Sequence, residues 1–293
     1  MNTHSIQSDA LIAEIKEQGA ELVSLFSKKT KTEYIWQADP RFWNRSAPIL
    51  FPIVGRLKDD KFTHSGKDYK LPKHGFVRDA PFTPTGPIDS TLGFTYEDTL
   101  KTRQVYPFPF ILHVVFSLYW NVLETVYHVT NKGHGPMYFS IGSHEAYNCP
   151  WAEDEAFEDY YLEFDEDATY NSLQIGPGGL LTKDPAYHVI ENGRRLPLNY
   201  GLFENDSLVF SDVPSNKVIL GSRKSISKVE IAYNDAPNLV LWTKKDAPYI
   251  CVEPWYGLPD FENSDGQIAN KPGIVTLDKG ESFSWRHTIT IYE

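Results

Sequence analysis

The chain has 293 residues, which is enough to bury a large hydrophobic core without help from disulfides or metal ions. It carries 28 Lys and Arg against 39 Asp and Glu, a net charge of −11 that argues against binding nucleic acids through their phosphate backbone. Aromatic residues make up 14% of the sequence, a content that favours β-structure and flat-faced ligand sites over helical bundles.

Cysteine usage and the N-terminal segment bear on the cellular compartment. Both cysteines, Cys149 and Cys251, lie in apolar stretches where reduced, buried thiols are expected. The first 18 residues lack the apolar core of a secretory signal, and no stretch approaches the roughly 18 apolar residues of a membrane span. We therefore expect a cytoplasmic protein that does not associate with a membrane.

Alternation of apolar and polar residues with a period of two predicts strands along the whole chain. Residues 11–15 alternate in this way and are followed by a turn signal at Gly19-Ala20. Residues 112–118 and 123–129 alternate on either side of a predicted hairpin turn, and Asp278-Lys279-Gly280 is the signature of another hairpin.

Signals for helices and domain boundaries are scarce. The segment Asp39-Pro40 combines an N-cap with proline at the first helical position, which predicts one short helical turn. The acidic segment 153–167 is predicted to form an exposed loop and an edge strand. Neither a flexible linker nor a repeat divides the chain, so residues 1–293 are predicted to form a single large antiparallel all-β domain.

A lone carboxylate, Glu253, lies inside the apolar and aromatic segment 251–257. An acid in such a place loses hydration unless partners compensate it, so its presence indicates a functional role. Strand parity places Ile250 and Val252 on the core face and Glu253 on the other, and His144 likewise falls on the polar face of its strand. Both side chains are therefore predicted to point into a pocket; the structural alternatives are a carboxylate that caps a strand and a hydrogen-bonded core histidine.

Metal and phosphate motifs are missing from the sequence. No His-x-x-x-His or Cys-x-x-Cys spacing occurs, so no metal site is predicted. The glycine-rich segment 176–179 lacks the lysine of a phosphate-binding loop and is interpreted as a turn.

Four motifs follow one another along the chain: residues 43–57, His74 to Asp79, Gly142 to Asn148, and Glu253-Pro254-Trp255. In residues, order and spacing they resemble the aldose 1-epimerases, or galactose mutarotase-like proteins, and particularly their LacX-like branch. The chain departs from the Gly-Gly-His-Pro-Ala-Phe-like segment common in that family, because it has Ser143, Glu145 and Tyr147 at the variant positions. These departures bear on the preferred sugar more than on the reaction.

The resemblance implies a large β-sandwich, the galactose mutarotase-like supersandwich with few short helices, and an isomerase that interconverts the α and β anomers of an aldose without a cofactor. Ring opening needs a base for the C1 hydroxyl and an acid for the ring oxygen. Glu253, with an ordinary pKa of about 4.3, is predicted to be the base, and His144, with an ordinary pKa of about 6.5, the acid. The expected partner is a small-molecule sugar; the oligomeric state is left open.

Six side chains are predicted to hold the sugar: Arg56 and His74 for its hydroxyls or ring oxygen, Asp206 or Asp212 for hydroxyls, and Trp255 or Trp36 for stacking on its C–H face. Whether the sugar carries a phosphate is left open, since Arg56, Arg78 and Lys73 have the required charge but the sequence does not bring them together.

Two other functions compete with catalysis of anomer exchange. The departures at Ser143, Glu145 and Tyr147 suggest a carbohydrate-binding or sugar-sensing protein that keeps the pocket without turnover. A glycosidase would use two carboxylates, such as Glu253 and Glu145, but the motifs place a histidine where the second acid is expected.

Overall fold

Strands dominate the computed structural model, which describes residues 2–293. In chain order the strands are β1 (Thr3–Gln7), β2 (Leu11–Lys16), β3 (Glu21–Ser27), β4 (Lys61–His64), β5 (Lys67–Lys70), β6 (Thr83–Ile88), β7 (Thr91–Glu97), β8 (Phe110–Tyr119), β9 (Val122–Asn131), β10 (Met137–Phe139), β11 (Ile141–Gly142), β12 (Glu145–Asn148), β13 (Tyr160–Leu173), β14 (Tyr187–Pro197), β15 (Leu208–Phe210), β16 (Lys217–Ser222), β17 (Lys228–Ala232), β18 (Asn238–Trp242), β19 (Tyr249–Tyr256), β20 (Val275–Leu277) and β21 (Ser282–Tyr292). Helical residues in the described part of the chain are confined to short 3₁₀ segments: Lys58–Asp60, Val77–Asp79, Thr102–Gln104, Phe157–Asp159, Tyr200–Phe203 and Ile268–Asn270.

Fourteen of the strands form one large sheet in the order β11-β19-β18-β15-β13-β16-β17-β21-β9-β8-β7-β6, with β12 paired to β19 and β14 paired to β13. A three-stranded sheet, β1-β2-β3, and two two-stranded sheets, β10-β20 and β4-β5, complete the fold. Side chains of the three-stranded sheet, such as Ala13 and Leu25, join those of the large sheet, such as Phe94 and Val114, in one buried cluster. The predicted all-β antiparallel sandwich is confirmed. Residues 2–293 contain no helix with the length and apolarity needed to cross a bilayer.

Several local predictions are confirmed. The hairpin β8-β9 pairs Leu118 with Leu123 around a turn in which Trp120 has a φ of 53°. Residues 11–15 lie in β2 with alternate side chains buried. The predicted helical turn forms at Asp39, whose carbonyl accepts a hydrogen bond from the Trp43 N–H at 3.0 Å.

Two predictions about strand neighbours are wrong. β13, which contains most of the acidic segment, is an interior strand that pairs with β14, β15 and β16. The turn at Asp278 to Gly280 forms, but the strands on either side do not pair: β20 pairs with β10, and β21 with β9 and β17. Alternation identifies a strand but not the strand beside it, which is chosen by contacts remote in sequence.

Candidate active site

The pairing of β19 with β11 and β12 places His144 directly opposite Glu253. Gly142 pairs with Trp255 and Glu145 with Val252, and the same register carries through the two residues between them. The Ser143 N–H donates to the Pro254 carbonyl at 3.2 Å, but proline has no N–H with which to return the bond. The ladder of backbone hydrogen bonds is therefore interrupted at His144. There the side chains of His144 and Glu253 lie on the same face of the sheet, turned away from the main core.

The two side chains form a buried pair. His144 Nε2 lies 3.3 Å from Glu253 Oε2, and the side chains are 9% and 1% exposed. Glu253 Oε2 and His144 Nδ1 make no hydrogen bond within the described residues. A buried carboxylate oxygen without a hydrogen-bond partner is costly, so this atom is positioned to accept a hydrogen bond from a bound ligand.

Aromatic rings fix the orientation of the His144 imidazole. It stacks on Trp43 with ring centroids 4.7 Å apart, and it meets Trp242 and His74 edge-on at 5.9 Å and 5.5 Å. Trp43 is held in turn by the helical turn at Asp39 and by the indole N–H of Trp36, which donates to the Trp43 carbonyl at 2.9 Å. The helical turn therefore places Trp43 against the candidate acid.

His74 is held in an unusual backbone conformation with a defined tautomer. Its φ is 67°, in the left-handed region that non-glycine residues rarely adopt, and Gly75 follows at 70°. The His74 N–H donates to the Gly55 carbonyl at 2.8 Å, and the Gly55 N–H donates to His74 Nδ1 at 3.1 Å. Since Nδ1 accepts this bond, a neutral His74 carries its proton on Nε2 and is a hydrogen-bond donor there.

A cavity of about 250 Å³ lies over this pair. It is lined by five of the six predicted site residues, His74, His144, Asp206, Glu253 and Trp255, together with Trp43, Lys73, Arg78, Ser207 and Trp242. The motifs that contain His74, His144 and Glu253 thus share one cavity, and Asp206, from the loop before β15, completes the wall. Its carboxylate accepts a hydrogen bond from the Ser207 hydroxyl at 2.9 Å.

The structure does not bring Arg56 into the cavity. Its guanidinium donates two hydrogen bonds to Asp60, at 2.7 Å and 2.8 Å, and a third to the Gly178 carbonyl at 3.1 Å. Asp60 lies four residues after Arg56 and forms an ion pair with it at the surface. This ion pair takes the place of the predicted contact between Arg56 and the sugar. Asp212 lies in a separate depression beside Thr169 and Phe210. Trp36 supports Trp43 from behind and does not line the cavity.

Burial changes the proton affinities of the central pair. It raises the pKa of Glu253 well above its ordinary value, an effect that the nearby Lys73 charge opposes. It lowers the pKa of His144 well below its ordinary value, and Lys73 lowers it further. The pKa of His74 is also lowered, first by burial and then by His144. The ordinary pKa values assumed from the sequence are therefore wrong for both Glu253 and His144, and burial favours the uncharged form of each side chain.

A second buried carboxylate–imidazole pair joins β12 to β21 on the core side of the sheet. Glu145 Oε1 is 3.3 Å from His287 Nε2 on β21, and the side chains are 5% and 1% exposed. Ser143, Glu145 and Tyr147, which occupy the variant positions of the third motif, are all buried, and none lines the cavity. The departures from the family pattern thus change the packing behind the site rather than its wall.

Three side chains at the site have the donor atoms of a metal centre. One nitrogen, sulfur or oxygen atom from each of His144, Cys251 and Glu253 lies within 4.8 Å of the others. Such a set would suit Zn²⁺, but burial raises the pKa of the Cys251 thiol well above its ordinary value, and the thiolate is the form that binds metal. The expectation of no metal site stays a prediction.

A large antiparallel β fold with a buried carboxylate–imidazole pair in a tryptophan-lined cavity defines the class of galactose mutarotase-like proteins. The sequence model described as aldose 1-epimerase matches residues 2–290, and the chain belongs to this family. It is 34% identical to the chromosomal protein LacX of Lactococcus lactis subsp. lactis, over 99% of both chains.

Solved structures agree with this assignment. A galactose mutarotase related enzyme from Lactobacillus acidophilus has a TM-score of 0.95 and 33% identity, covering 100% of this chain and 98% of that one. A galactose mutarotase-like protein from Lactobacillus casei has a TM-score of 0.93 and 31% identity, covering 99% and 100%. The predicted family is confirmed, and it indicates a sugar epimerase, an enzyme of the isomerase type.

Proposed function

We propose that this protein interconverts the α and β anomers of an aldose by acid–base catalysed opening and reclosure of the sugar ring, with Glu253 as base and His144 as acid. The observation that carries the proposal is the cross-strand pair, whose Nε2 and Oε2 atoms lie 3.3 Å apart in one cavity. The hydroxyl oxygen and the ring oxygen are bonded to the same anomeric carbon. Two groups this close together therefore reach both oxygens of one sugar.

The proton count of the pair suits this reaction. A protonated Glu253 with neutral His144 holds the same single proton as ionised Glu253 with protonated His144. A sugar hydroxyl that donates to Glu253 Oε2 supplies the partner this atom lacks and favours the carboxylate. The proton then resides on His144, which delivers it to the ring oxygen while Glu253 accepts the proton of the C1 hydroxyl.

Reclosure reverses both transfers after the aldehyde has rotated. His144 removes the proton from the free hydroxyl as its oxygen bonds to the aldehyde carbon, and Glu253 returns a proton to the C1 oxygen. The Nε2–H of His74 and the carboxylate of Asp206 are placed to bind other sugar oxygens, and Trp43, Trp242 and Trp255 offer ring faces for the C–H side of the sugar. No net proton is gained or lost, so the mechanism requires no cofactor.

The structure offers less support for the two competing functions. The substitutions that motivated a sugar-sensing role point away from the cavity, so they do not remove a catalytic group. Glu145 on β12 lies on the opposite face of the sheet from Glu253 on β19 and contacts His287, so these two carboxylates cannot flank one glycosidic bond. A non-catalytic binding protein remains the alternative that the assay must separate.

The test follows the return to anomeric equilibrium of freshly dissolved α-galactose and α-glucose by polarimetry, with exchange NMR for other aldoses. We expect acceleration over buffer in the wild type and its loss in His144→Asn, because that variant cannot deliver a proton. Glu262→Gln, at an exposed position outside the cavity, is a matched control that should keep full activity. Sugar binding without any anomer exchange across the panel would instead identify the non-catalytic alternative.

A further inference from the structure

One wall of the cavity is cationic, although the chain as a whole carries a net charge of −11. Lys73 and Arg78 both line the cavity that contains Glu253 and His144. The 3₁₀ segment Val77–Asp79 turns the chain back so that Arg78 Nη2 donates to the Lys73 carbonyl at 2.9 Å. This hydrogen bond ties the arginine to the lysine's backbone, so the wall is a built feature of the site.

The charges of this wall are poorly compensated by the protein. Arg78 Nε is buried without a hydrogen-bond partner. It forms only a long ion pair with Asp79, whose Oδ2 lies 3.9 Å away. Asp79 itself is engaged by Arg45 at 2.7 Å. Within residues 2–293 the Lys73 ammonium forms no ion pair. The side-chain hydrogen bond from Arg78 is accepted by the backbone carbonyl of Lys73 and leaves the charge of the ammonium uncompensated. Asp206 is the one other carboxylate that joins Glu253 in lining the cavity.

The positive wall disfavours the protonated form of His144, the proposed acid. After burial, the charges of Lys73, Arg78 and Arg45 each lower the pKa of His144 further. A neutral sugar would leave this field unchanged, whereas an anion bound at the wall would cancel it and restore the affinity of His144 for its proton. Binding of an anionic substrate would thus raise the pKa of His144 and favour the protonated form that acts as the acid.

We infer that the cavity binds an aldose carrying a phosphate ester away from its anomeric carbon, with Lys73 and Arg78 holding the phosphate. The inference rests on the proposed mutarotase function and adds the substrate class. Ring opening requires a free anomeric hydroxyl at Glu253, so the ester sits on another carbon of the sugar. Two cations, one of them a planar guanidinium, match a phosphate dianion better than a single carboxylate.

The decisive experiment compares kcat/KM for anomer exchange, by exchange NMR, among galactose, galactose 6-phosphate and galacturonate, and among the corresponding glucose compounds. We expect the phosphate esters to exceed the neutral sugars by about ten- to hundredfold, and the advantage to shrink as salt is added. A larger advantage for the uronates would overturn the assignment to phosphate. Equal values for neutral and phosphorylated sugars would overturn the inference while leaving the mutarotase function intact.

The variant Lys73→Gln tests the wall itself, because this exposed side chain can change without disturbing the core. The ratio of phosphorylated to neutral kcat/KM should fall about ten- to hundredfold in Lys73→Gln and stay at the wild-type value in Lys279→Gln, an exposed lysine outside the cavity. An unchanged ratio in Lys73→Gln would refute the role of the wall.

Calorimetry separates this inference from the proposed function. If no sugar is turned over, the mutarotase proposal fails. Tighter binding of galactose 6-phosphate than of galactose, lost in Lys73→Gln, would still support the anionic ligand. Equal or absent binding of the two would refute it.

Discussion

Replacing Glu253 with Gln separates the chemical role of this residue from its structural role. Gln keeps the size of the side chain and its place opposite His144, but it cannot accept a proton at the position of Oε2, 3.3 Å from His144 Nε2. A positioned base contributes about 10²–10⁴ in rate, so we expect kcat/KM to fall by that factor, equivalent to about 3–5 kcal/mol of barrier. The remaining cavity residues still bind the sugar, so KM should change far less than kcat.

The same substitution should stabilise the fold. Burial raises the pKa of Glu253 above the ordinary value of 4.5, so between these two values the folded protein holds a proton that the unfolded chain has lost. The free energy of unfolding therefore decreases as pH rises through that window. Gln has no proton to lose, so Glu253→Gln should melt at a higher temperature than the wild type at pH 7 to 8. The difference should vanish as pH falls below 4.5.

Two measurements on the same samples test this reasoning. Polarimetry gives kcat and KM for anomer exchange, and calorimetric melting curves between pH 4 and pH 8 give the stability difference, with Glu262→Gln as the control for loss of an exposed carboxylate. Full activity in Glu253→Gln would show that another group is the base. A variant that melts below the wild type at every pH would show that the buried carboxyl stabilises the fold, which contradicts the assigned direction of its pKa.

Further predictions concern the surroundings of the pair. Glu145→Gln removes a negative charge that raises the pKa of Glu253, so the alkaline limb of the pH profile of kcat/KM, where the pair loses its single proton, should move to lower pH; an unmoved limb would exclude this coupling. Lys271→Met leaves Asp260, its partner at 2.8 Å with both side chains at most 3% exposed, without a counter-charge, and urea denaturation should show a loss of about 3–5 kcal/mol. A loss below about 1 kcal/mol would show that Asp260 finds another partner. In Gly142→Ala the new Cβ would lie 2.4 Å from Trp255 Cδ1, so the indole must shift; we expect about 1–3 kcal/mol of destabilisation and lower activity, and wild-type values of both would contradict the packing.

Strand parity was the most reliable guide to the site. Alternation in β19 placed Val252 in the core and Glu253 on the other face, and the structure agrees because one face of the strand packs into the main buried cluster. The direct opposition of His144 and Glu253 could not be predicted in the same way. It depends on the register between strands about 100 residues apart, which follows from the whole fold.

The binding residues show where local and remote signals differ. The motif predicts that Arg56 contacts the sugar, yet Asp60 four residues later is the local partner that holds it, and this spacing is visible in the sequence. Trp43 lies in a motif, but the sequence alone predicts no role for it, because only the folded chain shows it stacked on His144. The sequence shows the charges of Lys73 and Arg78, but their shared wall depends on a short 3₁₀ turn that carries no strong sequence signal. The prediction of a cytoplasmic location stays a prediction.

The cavity is built from residues that are far apart in sequence, which limits how this protein can be split into functional fragments. Trp43, His74, His144, Asp206 and Glu253 come from five stretches that together extend over most of the chain. No contiguous fragment contains a working set, so recombination with a relative must exchange nearly the entire gene to transfer the chemistry. Changes in sugar preference, by contrast, need only alter one loop at a time, since each stretch contributes its own side of the ligand.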